Sequence, residues 1–246
     1  MSEISLDEIG RIFDESWDEL IDEFDSGEWT PLSERDLQLY LAYKLINRLS
    51  EVGKAGWVRI EFPIPLDPSK LERDFLYYGM VRMEREKGKI VIPDITIIDI
   101  NRFLPRIYLI AEVKCFIPYL FTSRVVGLFL EKMEKKIDRE ALKRFLRALK
   151  EDENQYMAQA DQYIDKMSKD LGKISSLIRA YREAWDIEIL GCMCVIDLIY
   201  GGKPDFWDRI SSIREDKYPD VRLYYASRDL YGELRALVED YLRRKP

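Results

Sequence analysis

The apolar positions of this chain follow two rhythms. Residues 5–25 place Leu6, Ile9, Phe13, Trp17, Leu20 and Phe24 three or four apart, which predicts an amphipathic helix with a very acidic outer face, ended by Ser26-Gly27. A second helix is expected from Thr30-Pro31 or Ser33, both suitable capping contexts, to about Leu49. The rhythm then shortens. Residues 56–65 read as a strand closed by prolines, and residues 89–100 and 106–116 as two strong strands whose short link predicts an antiparallel hairpin. Residues 67–88 are highly charged and follow neither period. Residues 123–150 read as a basic helix and 151–170 as another helix or its continuation, with a break at Gly172 and a helix over 174–185. A buried strand over 187–199, a turn at Gly201-Gly202, a short helix over 205–215, a strand over 221–226 and a helix over 229–244 complete the reading. This order predicts an α/β fold, a mixed β-sheet core flanked by α-helices. An acidic helical arm, residues 1–30, precedes a domain over residues 31–246.

Charge and composition alter that picture in specific ways. The net charge is -7, yet residues 1–30 hold eleven acids and one base, so the other 216 residues carry +3. Residues 101–150 hold twelve bases against five acids. Such a sector is either a solvated helix face or a local attractor for phosphates despite the acidic total. The arm either covers that sector when substrate is absent or packs on the back of the domain. Histidine is absent, which excludes a Ser-His-Asp triad, a Cys-His nucleophile and His-ligated zinc. Cys115, Cys192 and Cys194 form no paired framework and read as reduced strand cysteines, which predicts an intracellular, cytoplasmic protein. No apolar run reaches the roughly 18 residues of a membrane span, and the acidic N-terminus is unlike a signal peptide. The charged fraction of 35% exceeds the roughly 25% of ordinary globular proteins and is compatible with a thermophilic source.

Three ionisable residues stand out because they sit in apolar strands. Asp94 follows Pro93 inside one, and Glu112 and Lys114, two apart in the next, share a face while Val113 points away. Charges there are costly unless paired or metal-bound. Two carboxylates and the backbone carbonyl of Val113 make an all-oxygen donor set suited to Mg²⁺ or Mn²⁺. Asp99, at the end of its strand, reads as a turn residue and is a reserve ligand.

Pro93-Asp94, seventeen intervening residues, then Glu112-Val113-Lys114 resembles the signature of the PD-(D/E)XK nuclease superfamily, the restriction-endonuclease-like fold. The order of elements over residues 33–200 is similar to that family's. The resemblance implies that Asp94 and Glu112 bind a divalent metal and that Lys114 assists the attacking water. Many members carry a carboxylate on the first core helix. Glu34 shares a stripe with Leu37, Leu41 and Leu45 and is expected to face the sheet, unless it serves only the helix dipole, while Asp36 is expected to face solvent. Gln159-Ala160-Asp161-Gln162-Tyr163 is similar to the QxxxY motif of the RecB-like branch, with Gln159 and Tyr163 on one helical face beside Gln155 and Lys166. There is no four-cysteine set for an iron–sulfur version, and no P-loop, so any motor would be a separate chain.

The leading expectation is therefore a Mg²⁺- or Mn²⁺-dependent deoxyribonuclease of repair, recombination, restriction or viral genome processing. Arg102, Arg106, Arg124, Lys132, Lys135 and Lys136 are the expected phosphate contacts. Phe116, Tyr119 and Phe121 are available for core packing, dimer contact or base stacking. DNA is the expected partner, with a homodimer or a separate helicase or repair protein as compatible assemblies. The alternatives are a catalytically silent nuclease-fold module and a protein-interaction domain working through the acidic arm.

Overall fold

The opening helices form where the apolar spacing places them. In the computed structural model, which describes residues 4–67, 90–101, 105–118, 139–201 and 203–244, α1 spans Leu6–Ser26 and α2 spans Glu34–Glu51. Ser5 Oγ accepts the Glu8 N–H at 3.1 Å, and Gly27, at φ 78°, takes the left-handed conformation that ends α1. Ser33, rather than Thr30-Pro31, caps α2 by accepting the Asp36 N–H at 3.0 Å. Ile9, Phe13, Trp17, Leu20 and Phe24 pack with Leu37, Leu41, Leu45 and Leu49 into one core. Each such side chain contributes about 1.5–3 kcal/mol when fully buried. The acids of α1 are partly engaged as well: Glu19 and Glu23 each lie 2.7 Å from Lys44 Nζ, and Glu15 lies 2.8 Å from Arg48.

The strands are β1 (Val58–Ile60), β2 (Ile64–Pro65), β3 (Ile90–Val91), β4 (Ile95–Asp99), β5 (Arg106–Phe116), β6 (Leu190–Asp197) and β7 (Val221–Ser227). The helices that follow β5 are α3 (Arg139–Trp185), α4 (Pro204–Lys217) and α5 (Leu230–Arg244). The main sheet has the order β1-β4-β5-β6-β7. β1–β4 and β4–β5 are antiparallel, whereas β5–β6 and β6–β7 are parallel. The alternation of β5 and β6 sorts the two faces. Ala111, Val113, Cys192, Cys194 and Ile196 join the α1/α2 core. Ile110, Phe116, Met193 and Val195 join the core under α3, α4 and α5. The acidic helix thus lies on the sheet face opposite α3. Among the described residues no helix is long and apolar enough to cross a membrane.

Three expectations from periodicity are corrected. The strand expected over 89–100 divides: β3 pairs with β2 in a separate two-stranded ladder, and the main sheet resumes only at Ile95. Pro93, lacking an N–H, interrupts it. The strand expected over 56–65 divides at the same level, where Glu61 adopts a left-handed φ of 50°. Glu61 N–H donates to the Asp94 carbonyl at 3.1 Å across the break. Gly172 does not break α3, a single helix of 47 residues. A Cβ there would lie 3.2 Å from Tyr218 Oη, so the glycine provides room for close packing rather than a turn. At Gly191 the approach is tighter still: an added Cβ would lie 2.4 Å from Ile178 and 2.5 Å from Ile174. α3 therefore sits directly on β6.

The end of β6 carries a structural carboxylate. Asp197 is fully buried and accepts the Ile199 and Tyr200 N–H groups at 2.8 Å each and the Trp207 indole N–H at 3.0 Å. Burial pushes its pKa up to about 6, held in check by those same hydrogen bonds. Asp197→Ala is expected to strand three donors and to lower stability by roughly 2–4 kcal/mol. Urea unfolding reads this directly, and an unchanged midpoint would contradict it.

Candidate active site

The divided strands explain how Asp94 reaches the site. β4 begins at Ile95, opposite Ala111 of β5, so the next free N–H along β5 toward its C-terminal end has no strand partner. Asp94 Oδ2 accepts that N–H, from Val113, at 2.7 Å. The buried backbone donor is satisfied by a side chain where the ladder stops. The Asp94 carbonyl is held from the other side by Gln38 Nε2 of α2 at 2.8 Å and by Glu61 N–H. Asp94 is consequently fixed by α2, β5 and the turn after β1.

Glu112 and Lys114 emerge from the α3 side of β5, as their two-residue spacing requires. Lys114 Nζ donates to the Val113 carbonyl at 3.0 Å. It lies 3.5 Å from Glu112 Oε2, 3.6 Å from Glu34 Oε1 and 3.5 Å from Asp170 Oδ2. Glu34, Asp94, Glu112 and Lys114, all expected from sequence, are thus brought together by α2, the start of β4, and β5. Glu34 takes part at the first turn of α2 and keeps 46% of its side chain exposed, whereas Lys114, Glu112 and Asp170 are below 10%.

Asp170, on α3, is the member that sequence reasoning missed. Its signal was an acid inside the core-facing stripe of Ile164, Met167, Leu171 and Ile174, seven residues beyond Tyr163 and so on nearly the same helical face. Lys173, one turn on, reaches Asp170 Oδ1 at 2.5 Å.

The electrostatics are those of acids outnumbering one buried base. Burial pushes the Glu112 carboxyl up to about 7, with the Asp94 charge adding to the rise and Lys114 opposing it. Burial pulls Lys114 down, but Glu34, Glu112 and Asp170 outweigh it and leave its pKa raised. An oxygen-rich cluster whose carboxyl resists ionisation is one that a hard divalent cation would relieve. The Asp94 and Glu112 carboxylates and the Val113 carbonyl are the donors suited to it. Among the described residues no three Asp, Glu, Cys or His side chains are placed to hold a metal by themselves, so such an ion would need the backbone oxygen and water as well.

Other expected residues lie apart. Gln159 and Tyr163 line a neighbouring cleft with Asp152, Gln155 and Tyr156. The Tyr163 ring meets Phe116 edge-on at 5.3 Å, just beyond Lys114 on β5. Among the described residues no hydrogen bond joins Gln159 or Tyr163 to the acidic cluster. Phe116 itself is buried against Tyr163, Tyr200 and Phe206, a core role rather than base stacking. Arg106 begins β5, eight residues from Lys114 and so about 25 Å away along the strand. Its guanidinium lies 4.8 Å from the Tyr108 ring centroid. Asp99 pairs with Arg106 at that same far end and accepts the Asn101 N–H at 3.1 Å, which removes it as a reserve ligand. Arg102, Tyr119, Phe121, Arg124, Lys132, Lys135, Lys136 and Gly202 lie outside the described residues. Cys115, Cys192 and Cys194 are free thiols on β5 and β6, and burial raises the pKa of all three. Compared with known proteins, this chain matches no family model, no curated protein and no solved structure.

Proposed function

We propose that this protein is a divalent-metal-dependent nuclease with a restriction-endonuclease-like core, hydrolysing DNA phosphodiester bonds at Asp94, Glu112 and Lys114. One observation carries the reading. Two adjacent strands deliver these residues to one place: Asp94 Oδ2 receives the Val113 N–H at 2.7 Å, Lys114 Nζ donates to the carbonyl of that same Val113 at 3.0 Å, and it stands 3.5 Å from Glu112. The run α2, β1, β4, β5, α3, β6, with three antiparallel strands followed by a parallel one, supports the same reading.

In this reading Asp94, Glu112 and the Val113 carbonyl hold Mg²⁺ or Mn²⁺, which when bound neutralises phosphate charge and makes bound water acidic. Lys114 orients the attacking water and stabilises the charge that builds on the phosphate. Gln38 and Glu61 keep Asp94 in place through its carbonyl. The cleft of Gln155, Gln159 and Tyr163 supplies hydrogen-bonding and aromatic groups beside the scissile position.

A second reading, a catalytically silent module that binds nucleic acid, is favoured by one feature: the Lys114 ammonium already sits among the acids and on the Val113 carbonyl. Incubation of linear, circular and single-stranded DNA with the purified protein, with Mg²⁺, Mn²⁺ or EDTA, separates the two. Cleavage that requires the cation is expected. Binding without cleavage under both cations would sink the nuclease reading and leave the silent module.

A further inference from the structure

We propose that Asp170 is a positioning residue that holds the Lys114 ammonium in the reactive cluster, an inference that rests on the nuclease reading for its catalytic consequence. A lysine carries its charge on a flexible four-carbon stem, so a useful ammonium must be held by partners. Lys114 has three acidic neighbours, and they are not equivalent. Glu112 belongs to the cation-holding pair. Glu34 sits at a helix start with 46% of its side chain exposed, where water competes for the ion pair. Asp170 has 7% of its side chain exposed and lies 3.5 Å from Lys114 Nζ.

Asp170 is itself anchored twice. Lys173 Nζ donates to its Oδ1 at 2.5 Å, leaving Oδ2 directed at Lys114. The helix that carries it is seated on β6 by Ile174 and Ile178 against Gly191, where an added Cβ would force those two side chains to move. β6 pairs with β5 in register, Lys114 opposite Val195, so the seat of α3 sets how far Asp170 reaches toward Lys114. A carboxylate inside an otherwise apolar helix stripe thereby joins α3 to the centre of the site.

The test uses Asp170→Asn and Asp170→Glu, each checked for folding by thermal unfolding. Proton–nitrogen correlation spectra of the cation-free protein, with the Lys114 resonance identified by its loss in Lys114→Gln, read the ammonium directly. The wild type is expected to show a slowly exchanging Lys114 ammonium that Asp170→Asn loses and Asp170→Glu partly restores. In the DNA assay Asp170→Asn is expected to lower kcat by roughly 10- to 100-fold with KM within about twofold, and Asp170→Glu by less. If Asp170→Asn does not stay folded, the Glu variant carries the test, with a several-fold fall in kcat at unchanged KM. A protected Lys114 signal and normal kcat in the folded variants would overturn the proposal. A wild type that shows the protected ammonium but cleaves nothing would instead defeat the nuclease reading, and the spectra of the variants would still decide whether Asp170 holds Lys114.

Discussion

Asp94→Asn and Lys114→Ala are each expected to lower cation-dependent DNA hydrolysis by about 10²–10⁴-fold, the range in which a positioned acid–base or charge-stabilising group operates. The two substitutions differ in what they do to the fold, and that difference makes the test informative. Asparagine keeps an oxygen able to accept the Val113 N–H that Asp94 Oδ2 accepts at 2.7 Å, so the end of the β4–β5 ladder stays satisfied while the negative charge is lost. Lys114→Ala is harsher. It leaves Glu34, Glu112 and Asp170, each within 3.6 Å of the ammonium, without their shared counter-charge. Lys114→Met, which retains most of the stem, keeps the packing closer to the original. Hydrolysis at the wild-type rate in folded Asp94→Asn would remove Asp94 from the mechanism.

Glu112→Gln is expected to move activity and stability in opposite directions. Activity falls for the same reason as above. Stability is a linkage effect. The Glu112 carboxyl is raised from 4.5 to about 7 in the folded protein, chiefly by burial. Between those values the folded state binds more protons than the unfolded state, so stability falls as pH rises through that window and stays lowered above it. Glutamine is never charged and escapes the penalty. At pH 8 without divalent cations the variant is expected to be more stable than the wild type, by on the order of 2–3 kcal/mol. The difference should vanish as the pH falls well below 4.5, where the wild-type carboxyl is protonated in both states. Mg²⁺ should raise the melting temperature of the wild type more at pH 8 than at pH 6, because protons compete for the carboxylate, and should not stabilise the variant in this way. Melting curves of both proteins in EDTA across that range decide the matter. A variant that is less stable at pH 8 would show that Glu112 is better compensated by Lys114 than its burial implies.

The acidic helix raises a practical point for any test of its role. Ile9, Phe13, Trp17, Leu20 and Phe24 are part of the core shared with α2 and the sheet, and Glu15, Glu19 and Glu23 are paired with Lys44 and Arg48. Deleting α1 would uncover that core. Charge-neutralising substitutions of exposed acids such as Asp18 and Asp25 probe its electrostatics without that cost.

What the sequence determined by itself was local and periodic. A two-residue spacing put Glu112 and Lys114 on one face of a strand, because successive side chains of extended backbone alternate. A three-to-four spacing laid out α1 and α2 and put Glu34 on the side of α2 that meets Lys114, because a helix repeats every 3.6 residues. Ser33 and Gly27 marked helix ends through hydrogen bonds to groups within four residues. What only the tertiary structure decided involved partners far along the chain. Gly172 reads as a helix break until Tyr218 is seen against it. Pro93 divides a strand that looked continuous, and the turn at Glu61 meets it across the gap. Arg106 and Asp99 carry the right chemistry at the wrong end of the hairpin. Asp170 enters the site because a glycine on β6 lets α3 settle onto the sheet. Periodicity fixes which way a side chain points. Which other side chain it meets there is set by the packing of helices on strands, and no local spacing encodes that.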